Sequence, residues 1–322
     1  MQSQEHDRVA DTLCLRDRFS GPGDLERCRA ILRQGSKSFH AASLLLPVRV
    51  RRPAASVYAF CRISDDAVDL AGDPEWALAD LHRRLEQIYS GNPRDNAVDR
   101  TLADVVRENQ VPKALFEALL DGYLWDVEGR RYETLSGVMA YSARVASAVG
   151  AIMTVLMGPR EPHVMARACD LGVAMQLTNI CRDVGEDARA GRIYLPLSWM
   201  REVGIVPERW IKDPVYTPAL GGVVRRVLEA AEVLYRRADS GITYLPRDCR
   251  IAIRAASLIY SDIGRVIAEY DYDSVSRRAV TSGRRKVWLA LRAMGATFWA
   301  ARHCEDPALG ETSFLVESIA QS

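Results

Sequence analysis

QLTNICRDVGEDARAGRIYLP, residues 176–196, decides the reading of this 322-residue chain. An apolar stretch, DLGVAMQLTNIC (170–181), runs straight into Arg182 and then into the pair Asp183 and Asp187. Residues four apart on a helix lie one above the other on one face. Asn179 and Gln176, at i−4 and i−7 from Asp183, share that face. Carboxylates and amides on an otherwise apolar helix cannot be buried bare. The two like charges repel, so the pattern invites a cation. Oxygen ligands of this kind suit Mg2+, which takes one or two carboxylates together with waters and substrate phosphates.

A second pair, Asp65 and Asp69, closes the segment ASVYAFCRISDDAVD (55–69), with Arg62 at i−3 from Asp65. The spacing alone is weak evidence. With 24 Asp residues, chance placement gives about two Asp-x-x-x-Asp pairs. Five occur, at 7–11, 65–69, 69–73, 95–99 and 183–187. The setting of 65–69 and 183–187 separates them: apolar helix before each pair and an Arg beside it. The pairs 7–11 and 95–99 read as solvated surface, and Asp66 points away from its neighbours' face. Two such acidic helices could hold Mg2+ ions that grip a diphosphate.

Outward from these segments, apolar residues recur at three and four. Leu78, Leu81, Leu85, Ile88 and Tyr89 make one stripe, and Val224, Val227, Leu228, Ala231 and Leu234 another. The spacing predicts helices at about 24–34, 54–71, 75–90, 97–109, 112–130, 136–158, 162–184, 219–246, 250–270 and 284–303. Nothing alternates at period two, and no βαβ unit, GxGxxG or P-loop pattern is present. The expectation is one all-α domain over 1–322, a helical bundle with its core at about 24–303 and tails at either end. A net charge of +1 provides no field for nucleic acid. The seven Cys, at 14, 28, 61, 169, 181, 249 and 304, form no CxxC or Cys/His cluster and read as buried small hydrophobes in a reducing compartment. MQSQEHDRVADTLCLRDRF has no apolar h-region, so no secretory signal is expected. The longest uncharged apolar run, Val145–Met157, has thirteen residues and suits a core helix.

At this point the residues resemble a known family. YAFCRISDDAVD (58–69) and QLTNICRDVGEDARAGRIYLP (176–196) are similar to the two signature segments of the squalene/phytoene synthase family, head-to-head prenyl transferases. SKSF (36–39), Tyr141 in YSARVASAVG, Tyr260 in LIYSDIG and the basic SRRAVTSGRRK extend the match over about residues 30–290. Within the family, 182–196 is most similar to bacterial members that make a forty-carbon product. The resemblance implies an all-α isoprenoid-synthase bundle with a central active-site cavity. It implies Mg2+, with Mn2+ as a substitute, held by Asp65, Asp69, Asp183 and Asp187 with Asn179 in or beside the metal shell. It implies that Ser36, Ser38, Arg62, Gln176, Arg182, Tyr260 and Arg278 or Arg277 contact the diphosphate, that Phe39 lines the substrate, and that Tyr141 and Tyr194 stand near the reacting carbons or the flap that covers them. Some members carry His where this chain has Gly35. The loop 188–196 reads as a lid.

The implied reaction joins two geranylgeranyl diphosphates through a cyclopropyl diphosphate, and no NADPH is expected. A farnesyl diphosphate reaction is the alternative on the same fold; a non-catalytic assembly module would carry broken acidic pairs, and both are intact. The resemblance implies prenyl diphosphates as partners and no nucleic acid. Because substrate and product are both lipids, a cytoplasmic protein with peripheral membrane contact is expected, for which 284–303 is basic and apolar enough; contacts with downstream carotenoid enzymes are expected too. A packed terminal helix is the competing reading of 284–303.

Overall fold

Helices begin where a side chain can take the first free N–H groups, and bury the stripe that follows. The computed structural model describes residues 18–35, 42–296 and 306–321. It is all-α, with no strand among the described residues. The described helices gather into two compact units. The first holds α1 (Asp24–Gly35), α2 (Val48–Asp69), α3 (Pro74–Tyr89) and α4 (Ala97–Asn109). Asp73 accepts the Trp76 N–H to start α3, with Pro74 at its first position. Leu78, Leu81, Leu85 and Ile88 are buried, as their spacing predicts. α2 starts six residues earlier than the expected 54 and runs through Pro53. The proline removes one ladder hydrogen bond. The buried Ala54, Ala55, Val57, Ala59 and Phe60 still hold the helix against α1 and α4.

One expectation fails here. The 95–99 pair is not solvated surface: Asp99 is 0% exposed. Arg84 Nε donates to Asp99 Oδ1 at 2.6 Å, and the guanidinium lies 5.3 Å from the Phe60 ring centre. Asp99 lies 15 residues from Arg84 along the chain, a relation that no local pattern carries.

The second unit holds α5 (Lys113–Val127), α6 (Leu135–Met157), α7 (Pro162–Arg189), α8 (Leu197–Glu202), α9 (Pro207–Trp210), α10 (Pro218–Ile242), α11 (Arg247–Glu269), α12 (Gly283–Ala296) and α13 (Ser313–Ala320). α7 is its axis and packs on α6, α10, α11 and α13. By length and composition α6 could cross a bilayer, but 61% of its most apolar window is buried, as suits a core helix. A π-turn at Ala143–Ser147 interrupts it. There α7 comes so close that a Cβ on Gly172 would stand 2.5 Å from the Ser147 Cα. α8, α9 and α13 were not expected, since helices this short show no periodicity. Residues 306–321 are no loose tail: Leu315, Val316 and Ile319 are buried. The Pro307 carbonyl accepts from Arg167 and Arg237 at 3.2 and 2.8 Å.

Asp99→Ala leaves the Arg84 charge buried and unpaired, and is expected to cost about 3–5 kcal/mol. Asp95→Ala, at a fully exposed side chain, is expected to change stability by less than about 0.5 kcal/mol. Urea unfolding of the two variants checks the contrast.

Candidate active site

α7 extends to Arg189, five residues past the expected end, so Asp183 and Asp187 lie on one continuous helix. Beyond it Gly191 takes φ +79°, and Arg192 N–H donates to the Asp187 carbonyl at 2.8 Å, a glycine-terminated helix end. Asp183 is gripped. Arg182 donates to both its oxygens, at 2.9 and 2.6 Å, and Arg278 Nε donates to Oδ1 at 2.9 Å. Burial pushes the Asp183 carboxyl up, but these guanidinium bonds outweigh it and hold the group below the usual carboxylate range. Asp187 has no such grip. Burial, and then the charge of Asp183, push it up to about 7, with Arg192 opposing. Asn179 donates to Gln176 Oε1 at 3.4 Å, while its own Oδ1 is buried without a partner. Tyr260, on α11, stands close enough to feel the charges of Arg182 and Asp183, and burial raises its hydroxyl.

Arg278 rather than Arg277 reaches the acidic pair. Its Nε also lies 3.1 Å from Glu186 Oε2, whereas Arg277 lies over the Tyr270 ring at 5.4 Å. The segment that delivers Arg278 is sharply folded. Asp271 and Tyr272 adopt φ +52° and +61°, and Asp273 Oδ1 accepts from Val275 N and Ser276 N at 3.1 and 2.9 Å. Gly185, between the two aspartates, donates its N–H to the Ser274 carbonyl at 3.0 Å. A Cβ on Gly185 would stand 2.3 Å from the Val275 carbonyl oxygen. Only glycine admits this segment.

The tyrosines form a second group. Tyr141 and Tyr194 stack at 5.0 Å, and Tyr132 lies 5.4 and 6.4 Å from them. Both Tyr141 and Tyr194 donate their hydroxyls to Asp126, at 2.8 and 2.7 Å. Burial, then the Asp126 charge, raise both phenols. Sequence reasoning missed Asp126. It lies 15 and 68 residues from its two donors, so no local signal marks it. The expected lid, 188–196, is exposed at Arg189, Ala190 and Gly191 and buried at Ile193, Tyr194 and Leu195, and Leu197 N–H donates to the Tyr132 carbonyl at 2.9 Å.

The first pair, in the other unit, is more exposed. The Asp65 side chain is 46% exposed, against 18% for Asp183. Asp65 and Asp69 share the last turns of α2. Arg62 donates to Asp66 Oδ2 at 3.1 Å and lies 3.8 Å from Asp65 Oδ2; Asp66 is thus its main partner. One helical turn before Asp65, Cys61 is pushed up to about 12 by burial and then by the Asp65 charge. At Gly35 a Cβ would stand 2.6 Å from the Tyr58 hydroxyl; the tyrosine occupies the space a larger residue would need. Ser36, Ser38 and Phe39 lie outside the described residues.

Among the described residues no three His, Cys, Asp or Glu form a metal cage. The donors still fit Mg2+, which keeps waters and takes substrate phosphates rather than a full protein shell. Asn179 Oδ1 lacks a partner, and a cation beside Asp187 would favour the charged form that burial opposes.

The described residues thus join, on an all-helical frame, a carboxylate–amide face, guanidiniums beside it and a buried tyrosine stack. Residues 32–286 match the squalene/phytoene synthase family. The chain is 55% identical over 278 residues to the phytoene synthase of Rhodobacter capsulatus, covering 85% of this chain and 82% of that one. It is 38% identical to the 15-cis-phytoene synthase of a Paracoccus species, over 86% of this chain and 91% of that one. Among solved structures it is similar to a dehydrosqualene synthase in complex with ligand, with a TM-score of 0.77 and 32% identity over 84% of this chain and 95% of that one. The chain belongs to the squalene/phytoene synthase family.

Two outcomes are expected from this geometry. The folded chain holds the Asp187 proton up to about pH 7, while the unfolded chain releases it near 3.8, so metal-free protein loses stability as pH rises between these values. Asp187→Asn is expected to remove that loss and raise the metal-free melting temperature at pH 7.5, read by calorimetry across pH. Gly185→Ala is expected to cost about 1–3 kcal/mol by overpacking and to lower activity beyond what the lost folded fraction explains, because the Arg278 segment must move.

Proposed function

We propose that the protein joins two geranylgeranyl diphosphates head to head to give phytoene, the first step of carotenoid synthesis, with Mg2+ as its metal. The observation that carries this reading is the donor set on one face of α7. Asp183, Asp187 and an unpartnered Asn179 Oδ1 stand there with two guanidiniums at hand. The phytoene synthases among its relatives support the choice of substrate.

An allylic C–O bond breaks readily only if the departing diphosphate is neutralised. Mg2+ held by Asp183, Asp187 and Asn179 would supply Lewis-acid charge to that diphosphate, and the family resemblance implies the same metal-holding task for Asp65 and Asp69. Arg182 and Arg278, now on Asp183, present N–H groups that suit its oxygens in bidentate fashion, and Gln176 adds an amide; for Arg62, now on Asp66, the family resemblance implies a diphosphate contact. The bond's electron pair leaves with the diphosphate. The allylic cation adds to the double bond of the second prenyl chain, one proton is lost, and a cyclopropylcarbinyl diphosphate forms. A second ionisation, rearrangement and proton loss give the forty-carbon hydrocarbon, with two diphosphates and two protons released. No reductant enters, so NADPH is not needed.

Cations of this kind must be kept from water. The buried faces of Tyr141, Tyr194 and Tyr132 suit that task, since a ring face favours nearby positive charge. The phenols of Tyr141 and Tyr194 are committed as donors to Asp126 and made less acidic by burial. They serve the reaction as rings rather than as bases. Tyr260 stands beside the arginine and aspartate that face the diphosphate.

Purified protein with Mg2+ and geranylgeranyl diphosphate, without NADPH, is expected to yield phytoene on extraction and mass analysis, and EDTA to stop it. Asp183→Ala and Asp65→Ala are expected to abolish product. Product from farnesyl diphosphate alone would overturn the substrate assignment, and diphosphate release in no tube would overturn the enzymatic reading. Tyr141→Phe keeps the ring and is expected to retain most activity. Tyr141→Ala is expected to lose about thirtyfold or more, the worth of one desolvated cation–ring contact.

A further inference from the structure

Residues 306–321 lie past 32–286, the stretch that matches the family, so their role is read from what they touch. Several contacts pin the segment to the second unit. The Pro307 carbonyl takes Arg167 and Arg237, and Asp306 lies 3.4 Å from Arg237. Ser136, at the start of α6, donates its hydroxyl to Glu311 Oε1 at 2.6 Å. Leu315, Val316 and Ile319 are buried, and α13 packs on α5, α6 and α7. Core packing does not account for Phe314, which is 37% exposed. Its ring centre lies 5.1 Å from the Arg144 guanidinium.

Arg144 sits in the π-turn that follows Tyr141. Its guanidinium lies 4.1 Å from the Trp125 ring centre, with Phe314 as its second ring. Nη1 donates at 3.0 Å to the Ala140 carbonyl, which belongs to the peptide bond that enters Tyr141. Nε is buried without a partner. Burial pulls the group below its ordinary value, with Asp121 opposing, yet an arginine keeps its charge in such a place. The ring faces then matter, because a ring attracts a cation most where water is scarce. Trp125 precedes Asp126, the carboxylate that takes the Tyr141 hydroxyl at 2.8 Å, and lies 6.1 Å from the Tyr132 ring. Arg144 therefore touches the chain beside both ends of the Tyr141–Asp126 hydrogen bond. Ala140 adjoins the tyrosine, and Trp125 adjoins the aspartate.

We propose that Phe314 and Arg144 are positioning residues for Tyr141: the segment 306–321 delivers a ring that closes the Arg144 guanidinium against Trp125, and Arg144 so held fixes the aim of the tyrosine ring. This rests on the proposed prenyl transfer, in which the tyrosine rings shield the cation. A ring turned aside leaves the allylic cation open to water. The water oxygen adds to the carbon, a proton is lost, and a prenyl alcohol forms in place of hydrocarbon. Positioning is thus visible in the ratio of hydrocarbon to alcohol. A loss of folded protein lowers both together and leaves the ratio unchanged.

Hydrocarbon, prenyl alcohol and released diphosphate are measured for the wild type, Phe314→Leu, Phe314→Tyr, Arg144→Met and the double variant Phe314→Leu with Arg144→Met. The substrate is whichever prenyl diphosphate the wild type converts, so a wrong substrate assignment leaves the test intact. Phe314→Leu keeps an apolar side chain and removes the ring face. It is expected to lower the hydrocarbon-to-alcohol ratio about two- to fivefold with KM unchanged, the worth of a partly exposed cation–ring contact. Phe314→Tyr keeps the ring and is expected to keep the ratio. Arg144→Met is expected to lower the ratio at least as far, and Phe314→Leu to add nothing to it, because the ring acts through the guanidinium. Amide exchange at 141–148, read without substrate, is expected to quicken in Phe314→Leu and not in Phe314→Tyr. That readout decides the matter even if no prenyl diphosphate is converted. An unchanged ratio in Phe314→Leu and Arg144→Met overturns the proposal, as do effects that add in the double variant, or exchange at 141–148 that Phe314→Leu leaves unaltered.

Discussion

Two carboxylates one turn apart on a half-buried helix set the terms for the second unit. At the 5–6 Å typical of such neighbours, two like charges near a protein surface repel by about 3 kcal/mol. That is a sizeable fraction of a domain's net stability. The protein answers unequally. Asp183 receives Arg182 and Arg278 and stays ionised, while Asp187 is left to burial and to its neighbour's charge, and holds its proton to about pH 7. The strain is thus concentrated on one carboxyl, next to an amide oxygen with no partner. A cation beside Asp187 would relieve that strain by favouring its charged form.

Much of the surrounding backbone serves that arrangement. Arg278 arrives from a segment that needs two residues at positive φ and the close approach that Gly185 allows. The Asp273 carboxylate and the Gly185 N–H tie that segment down. On the opposite flank of α7, Gly172 admits the π-turn of α6, directly after Tyr141. Interruptions of this kind re-aim the side chains that precede and follow them. The helix that carries the acids therefore has small residues where other segments must touch it.

The tyrosine stack follows a different rule. Its rings are buried, Tyr194 stacking on both Tyr141 and Tyr132, and two of its three hydroxyls end on one carboxylate, Asp126. A carboxylate that accepts two phenol bonds orients both rings at once, and holds the 193–197 segment in the core rather than over it. The stacked rings and the charged face of α7 thus belong to separate groups of residues within one unit. The more exposed Asp65–Asp69 turn, with Arg62 on Asp66, keeps its charges nearer to solvent.

What could be read from the chain alone was whatever repeats locally. Helical periodicity located α1, α3, α4 and α10 closely. The i, i+4 rule put Asp183 with Asp187, Asn179 and Gln176 on one face, because on a helix sequence distance determines direction. The family resemblance rested on the same contiguous segments. Short helices such as α8 and α13 escaped, since one or two turns show no period, and Pro53 hid the start of α2 behind a rule that packing overrode. Asp126, the burial of Asp99 against Arg84, the choice of Arg278 over Arg277 and the need for Gly185 were decided only by the tertiary structure. Each depends on residues that meet across 15 to 95 positions of chain, where no periodic pattern extends and only the packed fold brings the groups together.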